Sequence, residues 1–303
     1  MCHPWCAEAV ELTGWTVPRI LEHVDMSDIC RAVPRPRGGR PVPTLETMSL
    51  DVTGRVARIT FTRPESMNSL TARVFDDLEA AIDAAEADPD VRVLVIGGTG
   101  RAFSVGLDLT LLDEAFADAA VWERLAKRLA ALTLKLESLS MPVIAAVNGL
   151  ARAGGFELLL ACDLVLIADS ARIADAHAEF GVIPAGGSTA RLPRIVGRQR
   201  AREIFLTGRW IPAAEAVELG IALKSVPADE LDAAVTELAN RLAGQSRACM
   251  AAMKRQFAAV EALPLAEAVV PEIEEFVAYT TPPDSDGQEG FRAYRENRPP
   301  TWA

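Results

Sequence analysis

The chain has 303 residues, half of them hydrophobic and 24% charged, with a formal net charge of −11 and a sequence pI near 4.9. That is an ordinary globular composition, long enough for one large α/β domain or a domain with an appendage. The acidic balance, without any Lys/Arg-rich stripe, argues against nucleic acid or an anionic membrane surface as a partner. An anionic small molecule could still be held by local Arg, Lys and backbone N–H groups.

No apolar run reaches the roughly 18 residues of a membrane-crossing helix; the longest, residues 156–168, is interrupted by Glu157 and Asp163. The first residues, "MCHPWCAEAVELTGW", lack a basic segment followed by an apolar one, so a secretory signal is not expected. The cysteines are odd in number and scattered (Cys2, Cys6, Cys30, Cys162, Cys249), which fits a reducing compartment and a cytoplasmic location. "CHPWC" offers ligand-type side chains, but no second cluster at zinc-site spacing accompanies it, and no metal is expected. "RAVPRPRGGRPVPT", residues 31–44, is rich in Pro, Gly and Arg and reads as a linker. Residues 1–47 are therefore expected to form a flexible N-terminal extension.

From Met48 the pattern alternates. "RVARITF" (55–61) alternates in strand fashion, whereas "VRVLVIGG" (91–98) and "MPVIAAVNG" (141–149) are apolar runs of buried strands. Between them Val74, Leu78, Ala81, Ile82 and Ala85 recur at helical spacing, and "WERLAKRLAALTLKLESL" (122–139) is a long amphipathic helix. Strands alternating with helices imply an α/β core over 48–243. From Leu231 the pattern is helical only. Leu231, Val235, Leu238 and Leu242 are expected to share a face, with Gly244 ending the helix and Ser246 capping the next. Residues 244–303 form a predicted C-terminal helical domain, in which Pro271 is expected to break or kink a helix.

Chemistry is concentrated in two glycine-containing segments. "GRAFSVGLDL" (100–109) directly follows a strand, and "VNGLARAGGFELLLACDL" (147–164) leaves a strand and enters a helix at Gly154–Gly155. The first backbone N–H groups of a helix have no internal partner and lie at its positive end, and glycine there leaves room for a ligand. Glu157 lies within that first turn, where the helix dipole alone would also favour a carboxylate. His177, in "DAHAEFGVIPAGG" (175–187), is the only histidine beyond the first 25 residues; a histidine in such apolar surroundings can equally be a satisfied core residue. No Gly-x-Ser-x-Gly, Walker loop or His-Glu-x-x-His motif competes.

Taken in order, "ITFTRPESMNSLT", "GRAFSVGLDL", "VNGLARAGGFELLLACDLVLIAD", "FGVIPAGGSTARLPRIVG" and "EGFRAYRENRPPTW" resemble the successive signatures of the crotonase superfamily, the enoyl-CoA hydratase/isomerase family, over about 48–303. The resemblance implies a spiral of ββα units with a C-terminal helical oligomerisation domain that assembles trimers or hexamers (dimers of trimers). It implies acyl-CoA thioester substrates, with CoA part of the substrate and no separate cofactor. It also implies a thioester enolate stabilised by two backbone N–H groups, here those of Leu107 and Gly154. Residues of the CoA and acyl channel would be Ser69, Ser104, Gly106, Asp108 and Leu109, with Tyr294 in place of an aromatic that packs near the CoA of a neighbour.

The two catalytic positions of the family's hydratases are glutamates, one activating water and the other protonating the α-carbon. The first falls on Glu157 and the second, counted back from "GVIPAGG", on His177. The departure leaves three expectations open. Imidazole can serve as acid or base, so a hydratase/isomerase with Glu157 as main acid/base remains the leading one. A C–C bond hydrolase of retro-Claisen type using His177 is the second, although Ala185 and Gly186 stand where such hydrolases carry an aspartate. A non-catalytic acyl-CoA-binding protein is the third. Glu179 could replace the missing carboxylate if its loop shifted, and Asn297 stands where many members have lysine.

Overall fold

The computed structural model describes residues 44–302; the expected extension, its "CHPWC" segment and its linker lie outside these residues, apart from the last few positions before Met48. Two sheets organise the chain. The larger has six strands in the order β1 (Met48–Thr53), β2 (Val56–Phe61), β3 (Val93–Gly98), β5 (Val143–Val147), β7 (Leu164–Ala168) and β10 (Lys224–Val226). Only β1 and β2 pair antiparallel; every later neighbour is parallel. The smaller sheet holds β4 (Ala102–Ser104), β6 (Leu150–Arg152), β8 (Arg172–Ala174) and β9 (Ile211–Pro212).

The chain therefore deals its strands alternately. Each of β3, β5 and β7 is followed after a short turn by β4, β6 or β8, so each pair puts one strand in each sheet before the chain moves on. This is the repeating turn of a spiral. The apolar runs explain the larger sheet: every residue of β5 is buried, and all of β3 except its last glycine, as parallel strands covered on both faces require. The helix α1 (Ala72–Ala87) packs on β1 and β2 and buries Val74, Leu78, Ala81, Ile82 and Ala85, the face expected from their spacing.

The remaining helices are α2 (Leu109–Ala117), α3 (Ala119–Ser138), α4 (Gly154–Leu160), α5 (Ser188–Val196), α6 (Arg198–Thr207), α7 (Ala213–Glu218), α8 (Leu231–Ala243), α9 (Arg247–Val260), α10 (Leu265–Thr280) and α11 (Asp286–Arg295). Helix α8 lies across β2, β3, β5 and β7. Its buried face is Leu231, Val235, Ala239 and Ala243, and Leu238 and Leu242 pack half-buried against the same core, on the expected shared face. The i, i+4 spacing holds, but small alanines let the helix sit closer to the sheet than a row of leucines would.

Ser246 caps α9, its Oγ accepting from the Cys249 N–H at 2.9 Å. Helix α9 is tied to the α/β body by Arg247, which donates to the carbonyls of Asp88 (2.8 Å) and Glu86 (3.0 Å), and by Lys254, paired with Asp163 at 2.7 Å. Pro271 does not break its helix: α10 runs through it. Proline removes one amide from the ladder, and the helix around it is held by tertiary packing, chiefly against α9.

Candidate functional site

Helix α4 is the centre of the site. All seven of its residues are buried, and it packs on β4, β6, α3 and α5. Its approach to β4 depends on Gly155: a Cβ there would stand 2.0 Å from the Ser104 carbonyl oxygen, so any side chain would force the helix away. The loop after β4 comes equally close. Gly106 has φ +88°, and a Cβ on it would lie 2.8 Å from the amide nitrogen of Gly154.

Two backbone N–H groups result from this contact. Leu107 is bridged to Leu70, with Leu70 N–H donating to Gly106 O at 2.8 Å and Asp108 N–H donating to Leu70 O at 3.1 Å. Those bonds use the peptides on either side, and among the described residues Leu107's own N–H has no acceptor. Gly154 opens α4, so its N–H has no helical acceptor either. The residue before it, Ala153, adopts φ 48° and ψ −118°, a conformation L-residues seldom enter.

One turn further on, Glu157 is 1% exposed. Its Oε1 accepts from the Gly186 N–H at 2.6 Å and from Ser188 Oγ at 3.4 Å. Burial pushes the Glu157 carboxyl above its usual range, more than His177 and the amides of Gly186 and Ser188 pull it down. Gly186 is also held through the next peptide: its carbonyl accepts from Arg191 Nη1 at 2.8 Å and Thr133 Oγ1 at 3.1 Å. Arg191 is itself held bidentate by Glu137, at 2.6 and 2.7 Å.

His177 begins a short 3₁₀ turn, His177–Phe180. Its Nδ1 lies 3.0 Å from Asp175 Oδ1, and Asp175 is 1% exposed. The other oxygen, Oδ2, accepts from Ser188 Oγ at 3.0 Å. Burial works against a charged imidazole, but the hydrogen bond and charge of Asp175, with the charge of Glu157, outweigh it and hold His177 above its usual range. A continuous line of short contacts thus runs from Glu157 through Ser188 and Asp175 to His177.

The sequence model of the enoyl-CoA hydratase/isomerase family matches residues 51–303. The chain belongs to that family, within the crotonase superfamily. It is 34% identical over 269 residues to a probable enoyl-CoA hydratase of Mycobacterium bovis, covering 85% of this chain and 98% of that protein. It is 32% identical over 243 residues to the mitochondrial enoyl-CoA hydratase of Pongo abelii, covering 80% and 82%. The crystal structure of an enoyl-CoA hydratase from Bacillus anthracis superposes with a TM-score of 0.80 at 30% identity, over 85% of this chain and 99% of that one. The spiral of paired strands and the C-terminal helices are this superfamily's architecture.

Within that family frame, the residues expected to line a channel divide. Leu109 is 73% exposed at the start of α2. The side chains of Ser69 and Ser104 are buried. Ser69 Oγ donates to Asp108 Oδ2 at 2.6 Å. Ser104 is fully buried, donating to Asn68 O at 2.8 Å and accepting from Gly106 N–H at 3.3 Å. Both brace the loop that carries Gly106 and Leu107. Asp108 caps α2, with Oδ1 accepting from Thr110 N–H at 3.1 Å, and the Ser69 hydroxyl foremost holds its carboxyl below the usual range. Tyr294, on α11, is 85% exposed at a cavity of about 450 Å³ shared with Cys249, Tyr279, Phe291 and Trp302. None of the Glu157–His177 group lines that cavity.

Glu179 is engaged elsewhere in this arrangement. It pairs with Arg152, whose guanidinium also lies 4.5 Å over the Phe180 ring. Asp175 and Ser188 are the residues that sequence reasoning missed. The available signal was an aspartate two positions before the histidine in "DAHAEF" and the serine after "AGG". Among the described residues no cluster of His, Cys, Asp and Glu could hold a metal ion, and no helix is long and apolar enough to cross a membrane.

Proposed function

We propose that the protein hydrates a 2-enoyl-CoA thioester, with Glu157 and His177 as its proton-transfer pair. What supports this reading is that the line of contacts ending at His177 starts from Glu157, in the helix that Gly154 opens, and that among the described residues no acceptor uses the N–H of Leu107 or Gly154. Glu157 removes a proton from water as the oxygen adds to the β-carbon. The π electrons move into the thioester, and the resulting enolate oxygen accepts from both amides. Removing one such donor slows an enzyme by roughly 100- to 1,000-fold. His177 then passes its Nε2 proton to the α-carbon, and one water has been added across the double bond.

The charge states suit these roles. A carboxyl raised by burial is a stronger base when ionised, and an imidazole kept charged by a carboxylate is an acid available near neutrality. CoA enters as part of the substrate, and the reading calls for no separate cofactor. The C-terminal helices support a homotrimer, or a dimer of trimers, since Phe257, Ile273, Phe276, Val277 and Phe291 are 52–70% exposed there. The scattered cysteines support a cytoplasmic location.

Crotonyl-CoA tests the reading directly: loss of its conjugated-enone absorbance is expected on addition of the protein. A second reading, cleavage of a β-dicarbonyl substrate, is favoured by the carboxylate partner that Asp175 gives His177. Inertness toward crotonyl-CoA with release of a carboxylic acid from a β-diketone would establish it instead. Binding of the thioester without turnover of either compound would leave an acyl-CoA-binding protein.

A further inference from the structure

Asp175 is a buried carboxylate with no place in the steps just described, yet all its polar reach is directed into the site. Oδ1 faces His177 Nδ1 at 3.0 Å, with the His177 N–H further off at 3.4 Å. Oδ2 accepts from Ser188 Oγ at 3.0 Å. Ala176 between the two residues is fully buried with φ 59° and ψ 2°, a left-handed conformation that costs an alanine roughly 1–3 kcal/mol. A side chain that merely capped the 3₁₀ turn would make its shorter bond to the backbone. Here the shorter bond goes to the ring.

We propose that Asp175 is the positioning residue of His177: it holds the ring by Nδ1–H, leaves Nε2 as the nitrogen that exchanges a proton with substrate, and through Ser188 ties the imidazole to Glu157. An ionised carboxylate accepts only, so Nδ1 keeps its proton whether the ring is neutral or charged. Ser188 has a single hydroxyl proton between two carboxyl groups, Asp175 Oδ2 at 3.0 Å and Glu157 Oε1 at 3.4 Å. It can donate to only one at a time, so the charge on Glu157 is felt at Asp175 and then at the ring. The other charged groups facing His177 are Glu157 from α4 and Arg152 from β6, the latter opposing a charged ring and itself paired with Glu179.

The inference rests on the preceding reading for its meaning, but its test needs no substrate. The chain has three histidines, so in protein labelled with 13C and 15N on histidine the His177 signals are those missing from His177→Gln. Nitrogen shifts of the parent are expected to show Nδ1–H and an unprotonated Nε2 at high pH. Asp175→Asn should lower the proton affinity of His177 about tenfold or more, and the alkaline limb of the kcat profile should move with it while KM changes little. Ser188→Ala should make His177's titration less sensitive to Glu157→Gln than it is in the parent. The opposite tautomer in the parent, or an unmoved titration in Asp175→Asn, overturns the proposal. If Asp175→Asn does not fold, the parent's tautomer and the Ser188→Ala comparison still decide it. The predicted NMR behaviour in a protein that does not hydrate crotonyl-CoA would refute the hydratase reading and leave the positioning role standing.

Discussion

Gly186→Ala adds one methyl group at the point where the site is tightest. The new Cβ would lie 2.8 Å from Glu157 Cδ, 2.8 Å from Glu157 Oε2 and 2.8 Å from Leu129 Cδ2. Carbon atoms rest at roughly 3.5–4.0 Å, so each neighbour must retreat by about 0.7 Å or more. The Leu129 tip is the end of a flexible side chain. The carboxyl is not, because Gly186's own N–H holds Oε1 at 2.6 Å, while Arg191 and Thr133 hold the carbonyl of the same residue. The alanine backbone itself is unstrained, since φ at 186 is not left-handed. Overpacking of this kind costs about 1–3 kcal/mol of stability, and a misplacement near 1 Å costs about 100-fold in rate.

Enoyl-CoA hydration followed by absorbance, with thermal melts alongside, measures both effects. Adding Leu129→Ala separates them. Stability should be non-additive, with a coupling of about 0.5–3 kcal/mol, because the shortened side chain makes room for the methyl. Turnover should stay as low as in Gly186→Ala alone, because the carboxylate remains displaced. Activity of Gly186→Ala within threefold of the parent would refute the claim that Glu157's position limits the rate.

Glu157→Gln should reduce turnover by about 100-fold or more. It should also melt higher than the parent at pH 8, by a margin that vanishes below pH 4.5. Burial lifts the Glu157 carboxyl above its ordinary 4.5, so the folded protein loses stability as pH rises from there through the raised value, and glutamine escapes that loss. A chain starting at Met48 should keep its oligomeric state and melt cooperatively, because β1 begins there; gel filtration and a melt would expose a failure as aggregation or a monomer.

Much of the frame was legible because it is periodic. The α1 face and the apolar runs of β3 and β5 follow from spacing and β-branched content. The three-residue strands β4, β6 and β8 do not: all are too short to show alternation, and β4 and β6 sit inside the two glycine-containing segments. The ββα repeat is invisible in the sequence for the same reason. In the site, Glu157 and His177 stood out, one for its place in the first turn of a helix and the other for its isolation. Ser188 has only its place after "AGG" as a signal, since its role depends on the chain returning through Gly186 to the side of α4. At Pro271 the helix continues where a break was one expectation, because propensity is a local property, whereas α10 is held by its neighbours.

The same distinction explains where the backbone is strained. Ala153 and Ala176 both have positive φ, and each immediately precedes a site residue, Gly154 in one case and His177 in the other. Glycine would occupy either conformation more easily, so local preference does not account for them. At 153 the peptide must turn to bring a free N–H beside Gly106 while α4 is locked against β4 by the Gly155–Ser104 contact. At 176 it must turn to set Asp175 behind the His177 ring while β8 holds Asp175 from one side and Val182 N–H bonds to His177 O on the other. In each case packing on both flanks fixes the position, and the residue between absorbs the mismatch. The two strained turns thus place the amide and the imidazole on which the proposed chemistry depends, and both are consequences of tertiary structure rather than of sequence nearby.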